Sequence, residues 1–254
     1  MDAMIFAAGL GTRLGEVGRV TPKALLEVAG ATMLEHVCRR LVAAGVDRII
    51  VNVHHHADRI ERFIREHDLG AEVLVSRETE KPLETGGGLA HARSLFRRNA
   101  PILLHNVDVL AEADLGALSG SVTASGALAV LAVNERRTSR QLLFDDEGLY
   151  GRSDARAGVR VTTRPPRGRT REFAFAGIHA IASELLDLIS ETGVFSILEP
   201  YLRLAGAGRR ILPFPLGDAA WLEVGSAERL EAARRAMAEP PADGKATLLP
   251  EAGP

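Results

Sequence analysis

The chain has 254 residues, 46% apolar and 25% charged, a globular balance that fills one large domain or two small ones. A formal net charge of -2 excludes a global basic field for nucleic acid. One cysteine, Cys38, excludes an internal disulfide and fits a reducing, cytoplasmic setting, and no apolar run has the length of a membrane span.

In chain order, the apolar run Met4–Ala8 stops at glycines and predicts a buried first strand; with no basic segment before it, it does not fit a signal peptide. Residues 9–22 read as a long glycine-rich loop. Thr32 and Glu35 have capping-box spacing, and Met33, Leu34, Val37, Cys38, Leu41 and Val42 recur at helical spacing up to Gly45. Cys38 falls on that stripe as a core thiol. A strand at 48–53, a helix at 57–68, a strand at 71–75, a helix from Gly86-Gly87-Gly88 to about Arg97 and a strand at 101–106 follow. This alternation predicts an α/β domain with a mixed, mostly parallel central sheet and helices on both faces.

The second half predicts strands at 127–133, 141–144, 149–152, 173–181, 210–214 and 221–224. Helices are expected at 183–189, at 197–204 and from Ser226. Residues 151–171 hold seven arginines and Pro165-Pro166, and predict a mobile loop or ribbon that either clamps an anionic acceptor or is simply solvated. A Pro/Gly/Ala-rich stretch predicts a disordered tail over 239–254.

The densest chemistry lies just after the first strand, in Ala7-Ala8-Gly9-Leu10-Gly11-Thr12-Arg13-Leu14, with Pro22-Lys23 downstream. Glycines let backbone N–H groups approach an anion, and Arg13 and Lys23 add charge against phosphate oxygens. Lys23 stands out because only it, Lys81 and Lys245 are lysine among 31 basic residues, and lysine is a compact point charge where arginine is the default. Leu14 stands where a dinucleotide fingerprint needs its third glycine, and Glu16 follows Gly15 where a P-loop needs lysine.

The G-x-G-T-R-L run with its P-K partner resembles the signature of the sugar-1-phosphate nucleotidylyltransferases, although Glu16 and Gly18 stand where that family usually has proline and Thr or Ser. Four more segments are similar to that family in the same order. They are Leu83-Glu84-Thr85-Gly86-Gly87-Gly88-Leu89, Leu104-His105-Asn106-Val107-Asp108, Phe173-Ala174-Phe175-Ala176-Gly177-Ile178 and Trp221-Leu222-Glu223-Val224-Gly225-Ser226. The resemblance implies a Rossmann-like three-layer nucleotidyltransferase domain over 1–238, with a nucleotide-binding half at 1–108 and a sugar-phosphate-binding half at 109–238. Its branch includes N-acetylmuramate 1-phosphate uridylyltransferases and mannose-1-phosphate guanylyltransferase-like proteins.

The implied reaction is attack of a sugar 1-phosphate on the α-phosphorus of a nucleoside triphosphate. The nucleophile is already an anion, so positioning and charge neutralisation dominate. Arg13, Lys23 and Asp108 are the implied catalytic residues. Ala7, Ala8, Gly9, Gly11, Thr12, Thr85, Gly86, Gly87 and Gly88 would contact the nucleotide, and Asn106, Glu172 and Gly177 the sugar. Asp108 and Glu223 would hold Mg²⁺ or Mn²⁺. Glu223 replaces the family's aspartate, and Val107 replaces a small residue, either narrowing the pocket or marking backbone that never needed glycine. The close packing of a helix N-terminus is a second role for Gly86–Gly88.

His54-His55-His56 alternate across a strand end and cannot easily converge on one ion. His105 and His179 are expected in satisfied core positions. The partners implied are a nucleoside triphosphate and a sugar 1-phosphate, with no nucleic acid or membrane, in a monomer or small homo-oligomer. A non-catalytic nucleotide or sugar-nucleotide sensor on the same fold is the alternative to which Glu16, Val107 and Glu223 point. An NAD-dependent oxidoreductase lacks its glycine spacing, and a glycosyltransferase lacks its D-x-D.

Overall fold

The computed structural model describes residues 1–98 and 100–238; the tail expected at 239–254 lies outside them. Strand β1 (Asp2–Phe6) is buried at every position, as a strand covered on both faces must be. After it come helix α1 (Glu16–Val20), the ribbon β2 (Glu27–Val28) and β3 (Ala31–Thr32), and α2 (Met33–Ala43). Then β4 (Arg48–Val53), α3 (Ala57–Glu66), β5 (Glu72–Arg77), α4 (Glu84–His91) and β6 (Ile102–Asn106) complete an alternating first half. The second half begins with β7 (Val109–Ala111), α5 (Leu115–Ser125), β8 (Ala129–Asn134), β9 (Arg140–Asp145), β10 (Gly148–Asp154), β11 (Val159–Thr162) and β12 (Arg171–Ile181). It ends with α6 (Leu185–Leu188), α7 (Leu198–Gly206), β13 (Ile211–Pro215), β14 (Trp221–Glu223) and α8 (Ala227–Ala238).

Strands β5, β4, β1 and β6 are parallel neighbours. The long strand β12 lies antiparallel beside β6 and carries the sheet to β9, β10 and β11, with the parallel pair β8 and β13 alongside. The sheet is mixed, as expected. Four parallel strands belong to the first half, where helices cross over, and the second half is antiparallel apart from the β8–β13 pair.

Side chains of β1 alternate between two cores, which makes the three layers. Ala3 and Ile5 join Leu34, Cys38 and Leu41 of α2, Ile60 of α3 and Leu118 of α5. Met4 and Phe6 join Leu89 of α4, Leu185 of α6 and Tyr201 of α7 on the other face. A third cluster seats α8, through Leu230 and Ala233, on Leu14 and Met33 beside the signature loop. The Thr32–Glu35 capping box opens α2 as the spacing predicts, with both reciprocal bonds formed. Cys38 is fully buried, and burial pushes its thiol up to about 12.

The sequence reading lacks β2, β3, β7 and α5, whose short or weakly patterned segments carry little signal, and it differs elsewhere too. The 9–22 loop contains α1. Helix α4 ends at His91, because the chain must turn so that the Arg97 backbone N–H and guanidinium both reach the buried carboxylate of Asp2, each at 2.7 Å. The arginine-rich 151–171 stretch is an ordered ribbon. Arg160 pairs with Glu172, Arg164 with the buried Asp145 and Arg167 with Glu147.

Candidate active site

The carboxyl ends of β1, β4 and β6 open into a cleft of about 400 Å³. This is the edge where parallel sheets bind ligands. Its lining includes Ala7, Ala8, Gly9, Gly11, Thr12 and Arg13 of the signature loop, Lys23, Thr85, Asn106 and Asp108, so one cleft gathers residues from three of the five recognised segments. Glu16 is exposed on α1 and outside this lining, so its charge points away. Val107 is buried with its backbone N–H on the Phe6 carbonyl, and its φ is not positive, so no glycine freedom is needed there; it also borders the cleft, where its bulk narrows the space.

Lys23 Nζ donates to Asp108 Oδ2 at 2.7 Å. Asp108 follows β6, and its carbonyl accepts the Val224 N–H at 2.7 Å, which ties the end of β14 to the cleft. Glu223, on β14, pairs in register with Val109, the residue after Asp108 in the chain. Its carboxylate takes Arg13 at 3.4 Å on one oxygen and Arg229 of α8 on the other. Each of the two acids thus sits against basic side chains of the chain itself.

Asp108 and Glu223 suit a hard cation. Mg²⁺ and Mn²⁺ prefer oxygen donors and are commonly held by one or two carboxylates together with substrate phosphates. Among the described residues no group of three or more His, Cys, Asp and Glu side chains converges, so an ion here would complete its shell from nucleotide oxygens and water.

The cleft floor rests on a buried chain that the sequence reading missed. The Ala7 N–H donates to Asn52 Oδ1 at 2.8 Å, Asn52 Nδ2 donates to Glu78 Oε1 at 2.7 Å, and the Leu83 N–H donates to Glu78 Oε2 at 2.8 Å. One asparagine and one glutamate thereby lock the start of the signature loop to the segment that leads into α4. The only signals in sequence were an Asn inside an apolar strand and a Glu just after another.

Gly88 packs directly on this chain: a Cβ there would lie 2.7 Å from Asn52 Nδ2 and 2.8 Å from Glu78 Oε1. Gly86 faces the Phe195 ring and Gly87 the Gly193 carbonyl, each too close for a Cβ, and the N–H groups of both donate to the Phe195 carbonyl. The close packing expected of Gly86, Gly87 and Gly88 at a helix N-terminus is therefore present. They are absent from the cleft lining, and their glycine character serves close packing of α4 against the 193–196 turn. Thr85 does line the cleft, with its Oγ1 accepting the Ile197 N–H at 3.1 Å.

A second cavity of about 750 Å³ adjoins the first through Arg13 and includes Glu223. It carries Arg136, Arg140, Arg152, Arg156 and Arg229 against the acids Asp154 and Glu223. Between the cavities, β12 bulges from Phe175 to His179. Gly177 in the bulge has φ +81, and a Cβ there would meet Asn106 Nδ2 at 2.9 Å, so glycine lets the strand lie against Asn106 at the cleft edge. The Trp221 indole donates to the Ala176 carbonyl in the same bulge at 2.9 Å. Glu172, expected on the sugar side, lies instead on an exposed part of β12, paired with Arg160 at 2.9 Å and outside both linings.

The three histidines at 54–56 lie in the turn after β4; the His55 and His56 ring centroids are 3.9 Å apart, while His54 and His56 bond to different carbonyls. His54 Nδ1 meets the Glu78 carbonyl at 2.7 Å, and His56 Nε2 meets the Arg19 carbonyl at 2.9 Å. Arg59 reaches the Val20 carbonyl, so the start of α3 holds the C-terminal end of α1. His105 and His179 are buried; His105 Nδ1 is satisfied by the Asn106 carbonyl at 2.8 Å, but the expectation fails for His179. His105 Nε2 and both ring nitrogens of His179 lack partners among the described residues. Burial lowers His105 to about 4 and His179 to about 3, so both rings are neutral.

Residues 3–212 match the family described as MobA-like NTP transferase domain. The chain is 33% identical over 247 residues to N-acetylmuramate alpha-1-phosphate uridylyltransferase of Caulobacter vibrioides, covering 93% of this chain and 97% of that one. It is 31% identical over 236 residues to the enzyme of the same name from Neisseria meningitidis serogroup B, with 92% and 97% covered. UDP-glucose pyrophosphorylase from Acinetobacter baumanii shares the fold, with a TM-score of 0.76 at 18% identity over 96% of this chain and 95% of that one.

Proposed function

The chain belongs to the MobA-like NTP transferase domain family and transfers a nucleotidyl group to a sugar 1-phosphate, and from that footing we propose that its donor is UTP and its acceptor N-acetylmuramate 1-phosphate. The observation that carries the reading is the Lys23–Asp108 contact inside the signature-loop cleft, with Glu223 on the neighbouring strand. A sensor would need the loop and its cations. It would have no use for two carboxylates set beside them. The names of the two full-length relatives support the choice of base and sugar.

In this reading, residues up to 108 hold the nucleotide and residues 109–238 the acceptor. The loop N–H groups cradle the triphosphate, and Arg13 turns from Glu223 to the β- and γ-phosphates. Lys23 turns from Asp108 to the α-phosphate, where it offsets the repulsion between the two anions that must meet. No general base is needed, because the attacking phosphate oxygen is already ionised. When bound at Asp108 and Glu223, Mg²⁺ or Mn²⁺ would supply further neutralisation of the phosphate charge. Pyrophosphate leaves opposite the attacking oxygen, and Asn106 with the Gly177 bulge borders the sugar.

Purified protein incubated with Mg²⁺, each of the five common nucleoside triphosphates and a panel of sugar 1-phosphates is expected to release pyrophosphate best from UTP and N-acetylmuramate 1-phosphate. Asp108→Ala and Lys23→Ala should abolish release. Preference for another pair would replace the substrates named here, and no release from any pair, with nucleotide still bound, would favour the sensor.

A further inference from the structure

Arg136 is held more firmly than any other arginine of the second cavity. It follows β8, and its Nη1 donates to Asn134 Oδ1 at 2.7 Å while its Nη2 donates to the Phe175 carbonyl at 2.8 Å. Its guanidinium lies 4.0 Å over the Trp221 ring. Hydrogen bonds on one edge and an aromatic face beneath fix the planar fork before any ligand arrives. Among the described residues no carboxylate lies within ion-pairing distance of it. Arg140, by contrast, is paired with Asp154, and Arg152 and Arg156 are exposed.

A half-buried guanidinium with no direct ion pair is costly, and burial pulls its ordinary pKa down, offset only in part by the more distant Glu223 carboxylate. The cavity as a whole has six arginines against two acids. The phosphate of the acceptor must lie in the first cleft with Lys23, where it meets the α-phosphorus. That leaves the charge on the far side of the sugar unanswered.

We infer that Arg136 is the residue that selects the acceptor, by taking a carboxylate carried on the sugar ring. The inference rests on the nucleotidyl-transfer reading and deepens it. An N-acetylmuramate differs from an N-acetylglucosamine by a lactyl ether, whose carboxylate is the only anionic group besides the phosphate. The open edge of the Arg136 fork can accept such a carboxylate side-on, and a neutral sugar would leave the cation desolvated and unpaired. Discrimination then comes from both the gained pair and the penalty for the wrong sugar.

The test measures kcat/KM for N-acetylmuramate 1-phosphate and N-acetylglucosamine 1-phosphate in the wild type, Arg136→Met and Arg136→Lys. Calorimetry of both acceptors is run in parallel, with a non-hydrolysable UTP analogue present. The wild type is expected to prefer the carboxylated acceptor by about 100-fold or more. That ratio should collapse in Arg136→Met chiefly through KM, and recover only in part in Arg136→Lys, which keeps the charge and loses the fork. Equal losses for both acceptors, or an unchanged ratio, would overturn the assignment while leaving nucleotidyl transfer intact. Absence of turnover would sink the transfer reading instead, and a carboxylate-dependent calorimetric signal lost in Arg136→Met would still uphold the anion site.

Discussion

The Lys23 ammonium lies 2.7 Å from the Asp108 carboxylate, and each side chain is less than a fifth exposed. The site therefore stores its mobile positive charge on the acid that a cation would later occupy. Lys23→Ala should lower kcat by roughly 10²–10³-fold, as for loss of one charge-stabilising group. Lys23→Arg should restore only a fraction, because a planar fork does not fit a point-charge position. Steady-state pyrophosphate release checks both, with circular dichroism as the folding control.

Gly88→Ala pushes a methyl group into Asn52 and Glu78. The expected cost is about 1–3 kcal/mol of stability, measured by urea denaturation. Because Asn52 also holds the Ala7 N–H at the cleft, KM for the nucleotide should rise with it. A variant that melts early yet keeps its wild-type KM would separate the packing role from the loop-anchoring role and count against the latter.

Stability should fall on mild acidification. The folded values of His105 and His179, about 4 and 3, lie below the unfolded value near 6.5 because burial excludes the charged ring. Their contribution is whole above pH 6.5. It is lost as pH drops toward 4 for His105 and 3 for His179, since over that window the unfolded chain binds protons that the folded one refuses. Each ring adds a slope of up to roughly 1.4 kcal/mol per pH unit. Urea midpoints at pH 7 and pH 5 should differ in the wild type and differ less in His179→Leu; equal differences in the two proteins would contradict the account.

Arg229 holds one oxygen of Glu223 from α8. Arg229→Ala frees that carboxylate to rotate, so the Mg²⁺ concentration for half-maximal rate should rise about 10–100-fold, the usual effect of losing a group that orients a metal ligand. An unchanged Mg²⁺ profile would remove Glu223 from the metal site or Arg229 from its support.

Local signals read well in the sequence. The capping box of Thr32 and Glu35, the apolar stripe through Cys38 and the phosphate-type loop before Lys23 each depend on residues a few positions apart. What escaped was long-range. Asn52, Glu78 and Arg136 carry no motif, and their roles come from strands that meet only in the sheet. Gly86–Gly88 show the same limit from the other side. A glycine run at a helix start records that something comes close to the backbone, and sequence alone does not say whether that neighbour is a phosphate or, as here, Phe195 and Glu78. The resemblance alone puts Glu172 on the sugar side; it lies on the exposed start of β12, paired with Arg160.

Trp221 is the sole tryptophan of the chain, and it supports both the bulge at Ala176 and the guanidinium of Arg136. The protein thus contains one indole fluorophore, which can be excited apart from its two tyrosines, seated beneath an arginine of the second cavity. Its emission can follow occupancy of that cavity without a label. Stopped-flow mixing with donor or acceptor alone can then time the arrival of each.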